Sequence, residues 1–268
     1  MISAKSIFIK YKFAYLIKIQ FLGFRFHGWQ KQPGLKTLHD MVDKTLSFVF
    51  EHFDYKTIGA GRTDAKVSSQ KYILQLFTNE EIIAIDFIES FNKNVPGDLK
   101  ALSIKPCALK YNLIGAPKLK TYHYYFSFGE KQHPYAAPFM VGYTENLDIE
   151  AMKKAALLFQ GKHFFNKYCC KPSAQTKFYR EINTCEIIEN KILQANFFPK
   201  KTYVLAIKGS GFLRYQIRYT MAVLLEVGRG NMTLTNIKNS LQENNDKKPW
   251  SFIAASSGLH LFDIELLD

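Results

Sequence analysis

Cysteine is scarce in this chain, arginine is scarce beside lysine, and no long apolar run occurs; each shortage closes off a class of protein. Four cysteines in 268 residues (Cys107, Cys169, Cys170, Cys185) are too few and too irregular for a secreted disulfide framework. Cys169 and Cys170 are adjacent, which does not fit C-x-x-C zinc ligation. A reducing, intracellular setting is therefore expected, and the cytoplasm is the assigned compartment. No segment has the apolar length of a membrane span. Residues 1–21 are apolar enough to suggest a signal peptide, but Lys5, Lys10, Lys12 and Lys18 leave no continuous apolar core, so a short extension running into a strand is expected. At 47% apolar and 22% charged residues, the composition excludes a wholly disordered or collagen-like chain. The length accommodates one large or two ordinary domains.

What is abundant is positive charge. Lys and Arg number 36 against 23 Asp and Glu, a formal charge of +13. That excess favours a polyanionic partner, nucleic acid being the commonest, although a lysine-rich solvated surface has the same arithmetic. The arginines are Arg25, Arg62, Arg180, Arg214, Arg218 and Arg229. Lysine suffices as a point charge along phosphates, whereas arginine supplies a planar fork for a carboxylate or phosphate in fixed geometry, so each of these positions invites a question.

Alternation over 15–21, with Ile17, Ile19 and Phe21 on one face, predicts a half-buried strand. A turn-rich stretch, 23–34, precedes a helix opened by Thr37, with Asp40 completing an approximate capping box and Leu38, Met41, Val42, Val49 and Phe53 as its apolar face. A strand over 71–77, a helix over 80–91 burying Ile83, Phe87 and Phe91, and a strand over 99–104 follow. In the second half, 121–128 alternates as a strand with Tyr122, Tyr124, Phe126 and Phe128 on one face. A helix over 148–159 is capped by Asp148 and stopped by Gly161. Strands over 185–189 and 201–208, a strong helix over 212–227, a shorter helix from Thr233 and a strand over 259–266 complete the order. The fold class is α+β: two halves, each an antiparallel sheet with helices on one face. The domains are read as 1–110 and 111–268, with 106–120 as the linker.

The sharpest chemical signal is Gly59-Ala-Gly-Arg-Thr-Asp-Ala-Lys-Val-Ser-Ser69, a loop between a helix and a strand in which small residues surround an Arg–Asp pair. Taken alone, it reads most plainly as a turn whose Asp64 bonds neighbouring backbone N–H groups. The order of residues, however, resembles the TruA family of tRNA pseudouridine synthases, whose motif runs close to GRTDAGVHA. The likeness spans nearly the whole chain: Gly28-Trp29-Gln30-Lys31-Gln32; Asn94-Val95-Pro96-Gly97-Asp98; Lys120-Thr121-Tyr122-His123-Tyr124; Phe212-Leu213 with Ile217-Arg218 and Glu226-Val227-Gly228; and Gly258-Leu259 with Leu261.

The resemblance implies the pseudouridine synthase fold, with the sheets side by side, and a cofactor-free, metal-free isomerase acting on tRNA, at anticodon stem-loop positions 38–40. It implies a homodimer with no membrane attachment. It makes Asp64 the catalytic carboxylate, Arg218 the guanidinium holding that carboxylate ionised, and Tyr122 the aromatic that stacks on the flipped uracil and helps remove the C5 proton. Leu259 would pack on the base, Arg62 would fill the gap left by it or grip a phosphate, and Gln30, Lys31, Gln32 and Lys66 would line the RNA path. Bland readings stand beside these: a core leucine, a sheet-lining tyrosine, surface charges and polar loop residues. The chain departs from the family pattern at Leu22, at Lys66 and Ser68 (usually Gly and His), at Ile114 (usually Arg), at Phe164 (usually Asp) and at Ser257, where a proline is typical. Those departures leave open a synthase acting on another RNA site, or a non-catalytic RNA-binding or RNA-folding protein on the same scaffold. A glycosidase-like hydrolase would need a second motif carboxylate, and none stands out.

Overall fold

The computed structural model describes residues 10–243 and 248–267. The extension expected at the start of the chain lies mostly outside the described residues. In chain order the first elements are β1 (Phe13–Phe21), α1 (Leu38–Phe50), β2 (Tyr55–Gly59), β3 (Ser68–Thr78), α2 (Ala84–Asn94) and β4 (Leu99–Pro106). Then come β5 (Lys118–Phe128), β6 (Val141–Tyr143), α3 (Ile149–Leu157), β7 (Gly161–Phe164), β8 (Tyr179–Glu189) and β9 (Tyr203–Gly209). The last are α4 (Gln216–Gly228), α5 (Leu234–Ser240) and β10 (Leu259–Leu266). The architecture is α+β with mostly antiparallel strand pairing, as the sequence pattern predicts.

The chain forms two compact units: residues 1–117 with 261–268, and residues 118–260. In the first, β1 lies between β3 and β4, antiparallel to both, and β2 pairs with β3. Ile17, Ile19 and Phe21 of β1 are almost fully buried, as their alternation requires. Tyr72 of β3 packs against Phe21 and, at 4.1 Å between ring centroids, against Trp29. Helix α1 buries Leu38, Val42, Thr45 and Leu46, and α2 buries Phe87 and Phe91. Asn92 of α2 exchanges two hydrogen bonds with the backbone of Ala101 on β4, at 2.9 and 2.7 Å, so that helix and strand are locked in register.

In the second unit the sheet order is β5–β9–β8–β7, antiparallel throughout, with β6 parallel to β5. Helix α4 is buried on nearly every side, which fits its almost continuous apolar sequence. Asp148 caps α3, accepting a hydrogen bond from the Ala151 N–H at 2.9 Å. Gly228 ends α4 where α3 presses on it: a β-carbon there would lie 2.7 Å from Met152 Sδ. Thr233 caps α5 in a reciprocal box with Asn236.

Several elements differ from their expected form. Helix α2 starts at Ala84 rather than residue 80, so Ile83 becomes its N-cap and is 65% exposed instead of buried. Helix α1 stops at Phe50, with Glu51 left-handed, which puts Phe53 beyond the apolar stripe and 84% exposed. Helix α4 starts at Gln216 rather than 212 because Tyr215 adopts a left-handed backbone at its N-cap. Strands β2, β6 and β7 carry too short a pattern to stand out, and β8 extends well upstream of residue 185.

Candidate functional site

In the first unit, Asp64 is half-buried on the connection from β2 to β3. That loop is clamped by the turn-rich stretch that follows β1. Phe26 O accepts from the Lys66 N–H at 3.0 Å, Thr63 O accepts from the Trp29 N–H at 3.2 Å, and the Val67 N–H donates back to Asp64 O at 3.2 Å. Two glycines permit the approach. Gly28 has φ +87°, and a β-carbon on it would sit 2.6 Å from Thr63 O and 3.1 Å from the Asp64 carbonyl carbon. A β-carbon on Gly23 would sit 1.9 Å from Val67 O. Ser68, almost fully buried where the family usually has histidine, accepts from the Gly23 N–H at 2.9 Å. The Tyr72 hydroxyl donates to Gly61 O and holds the loop from the strand side.

The Gly-Trp-Gln segment also organises α1. Gly28 O and Trp29 O each accept, at 3.0 Å, from Leu38 and His39 N–H groups, two of the orphan donors of a helix start. Trp29 is buried and stacks on His39 at 5.2 Å. Among the residues expected along an RNA path, Gln30, Lys31, Gln32, Arg62 and Lys66 are all exposed. Lys31 pairs with Asp43 at 2.5 Å, and Gln32 donates to His27 O at 3.2 Å. Lys66 stands at φ +68°, the left-handed region that explains the family's usual glycine there. Its ammonium lies 5.6 Å over the Phe24 ring.

The second unit carries the other named residues. Tyr122 is half-buried on β5 opposite Ile207, and Phe212 meets its ring edge-on at 5.3 Å. Lys120, two residues earlier on the same strand, has its ammonium pushed down to about 8 by burial and by the neighbouring charge of Lys118. Arg218 sits in the first turn of α4, half-buried. Its Nε donates to Ala254 O at 2.8 Å, the Ala254 N–H returns to Arg218 O at 3.3 Å, and its guanidinium lies 4.7 Å over the Tyr215 ring. The Tyr124 hydroxyl donates to Ala255 O at 2.8 Å, and its ring leaves no room for a β-carbon at Gly258. Leu259, buried, follows directly. The structure thus gathers Arg218, Tyr124 and the segment 254–259 inside one unit, and Asp64, Gly23 and Gly28 inside the other.

Residue roles missed in the sequence are those of Gly23, Gly28, Phe212 and Tyr215. Pairs of glycines flanking an aromatic turn signal close backbone approach, but not which backbone approaches. Two of the departures have visible accommodations: Phe164 packs on Phe178 and Tyr179 at 5.4 and 5.1 Å, and Ile114 lies at the surface, 66% exposed. Among the described residues, no group of three or more His, Cys, Asp or Glu is placed to hold a metal ion, and no helix is long and apolar enough to cross a membrane.

A family model described as tRNA pseudouridine synthase matches residues 155–265. The tRNA pseudouridine synthase A 2 of Desulfotalea psychrophila is 29% identical over 262 residues, covering 93% of this chain and 97% of that protein. The tRNA pseudouridine synthase A of Exiguobacterium sibiricum is 28% identical over 250 residues, covering 92% and 94%. That of Aquifex aeolicus is 27% identical over 247 residues, covering 92% and 97%. The α+β fold is accordingly that of the pseudouridine synthases. Within that class, the chain is similar, over more than nine-tenths of its length, to TruA-type tRNA pseudouridine synthases A.

Proposed function

We propose that this protein converts uridine to pseudouridine in tRNA, at positions 38–40 of the anticodon stem-loop, with Asp64 as the catalytic carboxylate. The observation that carries the reading is the clamp on the Asp64 loop: backbone hydrogen bonds and two glycine contacts fix the main chain that bears this one carboxylate, which supports catalysis by a single positioned acid. The match to curated relatives over more than nine-tenths of their length supports it.

The reaction breaks the N1–C1′ bond, turns the base and forms C5–C1′, so the C5 hydrogen leaves as a proton and no electrons are exchanged. A carboxylate serves as nucleophile or base in such a sequence. Tyr122 offers an aromatic face to the uracil, with a phenol near C5, and Leu259 an apolar surface. Arg218, whose Nε is committed to Ala254 O, keeps its remaining N–H groups in one orientation, as the guanidinium role requires. Arg62, Lys66 and the Gln30–Gln32 turn meet the RNA. In this reading an N-terminal domain supplies the aspartate, a C-terminal domain supplies Tyr122 and Arg218, and two copies clasp one tRNA in the cytoplasm.

The test uses unmodified tRNA transcripts carrying tritium at uridine C5. Wild type is expected to release tritium to solvent and leave pseudouridine at one or more of positions 38–40, and Asp64→Ala to release none. Equal release from both proteins would sink the role of Asp64, and pseudouridine elsewhere would sink the assigned position. No release by wild type from any tRNA would favour the RNA-binding alternative.

A further inference from the structure

A concave pocket of about 420 Å³ opens on the second unit between the segment 169–180 and residues 212–214. Four cations line it, Lys171, Lys177, Arg180 and Arg214, and among the described residues no acidic side chain does. Its two walls are tied by a hydrogen bond from the Cys170 N–H to Arg214 O at 3.1 Å. One wall is Phe212, the same ring that meets Tyr122 edge-on. The pocket therefore lies next to the tyrosine assigned to the target base.

Arg180 is the best placed of the four. It is half-buried, and Nη1 donates to Lys177 O and Tyr179 O, both at 2.7 Å, which holds the guanidinium plane still. Burial lowers its pKa from the ordinary arginine value, the sign of a cation partly stripped of water. Among the described residues, none accepts a hydrogen bond from its Nε or Nη2. A fixed, partly dehydrated fork among further positive charges suits a phosphate oxygen pair, which accepts two parallel N–H bonds.

We propose that this pocket grips a backbone phosphate of the RNA strand beside the uridine, with Arg180 as the fork and Lys177 as a supporting charge. The inference rests on the function proposed above and adds a subsite to it. Neither residue touches the reacting atoms; their work is to hold the strand. Loss of one phosphate contact reduces the salt dependence of binding without altering the chemistry.

The experiment measures binding of a fluorescent, unmodified tRNA transcript by anisotropy across a KCl series, alongside tritium-release kinetics, for wild type, Arg180→Gln, Arg180→Lys and Lys177→Gln. Arg180→Gln is expected to weaken binding about five- to tenfold at moderate salt and to flatten the log–log salt slope by about 0.7–1. KM is expected to rise with kcat at saturating tRNA unchanged. Lys177→Gln, at an exposed position, should show a smaller change of the same kind, and Arg180→Lys should recover most of the slope. Unchanged affinity and slope in both Gln variants would overturn the proposal. So would a fall in kcat at constant KM, or an Arg180→Lys variant as impaired as Arg180→Gln with a lowered melting temperature, since Arg180 would then be only a brace for residues 177–179. Failure of wild type to make pseudouridine bears on the function above, whereas the binding slopes judge the pocket in either case.

Discussion

Lys66 holds a backbone conformation that any β-carbon resists. At φ +68° the penalty for a non-glycine residue is about 1–2 kcal/mol, and the exposed contact with Phe24 returns less than that. Glycine relieves the strain but adds freedom to the unfolded chain, worth about 0.4–1 kcal/mol in the opposite direction. Lys66→Gly is therefore expected to stabilise the protein by about 0.5–1 kcal/mol, read as a higher midpoint in urea melts followed by circular dichroism. A lower midpoint would mean that the ammonium is worth more than the strain. The substitution also removes one positive charge beside Asp64 in sequence, so its effect on the tRNA salt slope reports whether that charge meets RNA. The likeness to a glycine-bearing motif made residue 66 conspicuous; the torsion angle says why glycine is usual there.

At the scale of elements, the protein joins two loops by close backbone approach. The turn after β1 and the loop before β3 share hydrogen bonds at Phe26–Lys66 and Trp29–Thr63, and Gly23 and Gly28 stand where a side chain cannot go. Gly28→Ala meets both a positive φ and a carbonyl oxygen 2.6 Å away. It is expected to destabilise by roughly 1–3 kcal/mol and, by displacing residues 63–65, to lower the turnover of uridine more than its affinity for tRNA. Thermal melts give the first quantity, and tritium release at saturating tRNA the second; full turnover in a destabilised variant would show that the clamp does not position Asp64. Most strands and helices were legible because alternation and 3.6-residue stripes are local properties. Their ends were less so. Ile83 fits the apolar stripe of α2 by spacing, yet it stands at the N-cap, where the chain turns away from the core. Tyr215 ends a helical pattern by a torsion that no spacing records.

Across the whole molecule, pH acts through buried imidazoles. In the second unit His260 Nε2 donates to Phe139 O at 3.0 Å, its ring meets that of Tyr125 at 4.8 Å, and it lies near His123, itself bonded to the Tyr125 hydroxyl at 3.1 Å. Burial pushes both histidines down to about 4. The unfolded chain takes up protons on them from about pH 6.5, while the folded chain does not until about pH 4, so stability is complete above 6.5 and is lost as the pH falls between those values. For His260 the loss amounts to about 3 kcal/mol. The melting temperature is expected to fall steadily from pH 6.5 to 4, and His260→Gln, which keeps an N–H donor, to flatten that fall. A melting temperature independent of pH over this range would contradict neutral, buried imidazoles.

The amino-acid order alone determined the basic charge, the alternation of the strands, the stripes and caps of α1 and α3, and the succession of motifs that carries the family likeness. These depend on neighbours along the chain, and so they can be read from it. Only the tertiary structure decided which carbonyl each glycine must admit, why Lys66 is strained, and that Arg180, Phe212 and Arg214 share one pocket. Those outcomes come from contacts between segments tens of residues apart, set by strand register and side-chain packing, and residue spacing holds no record of either.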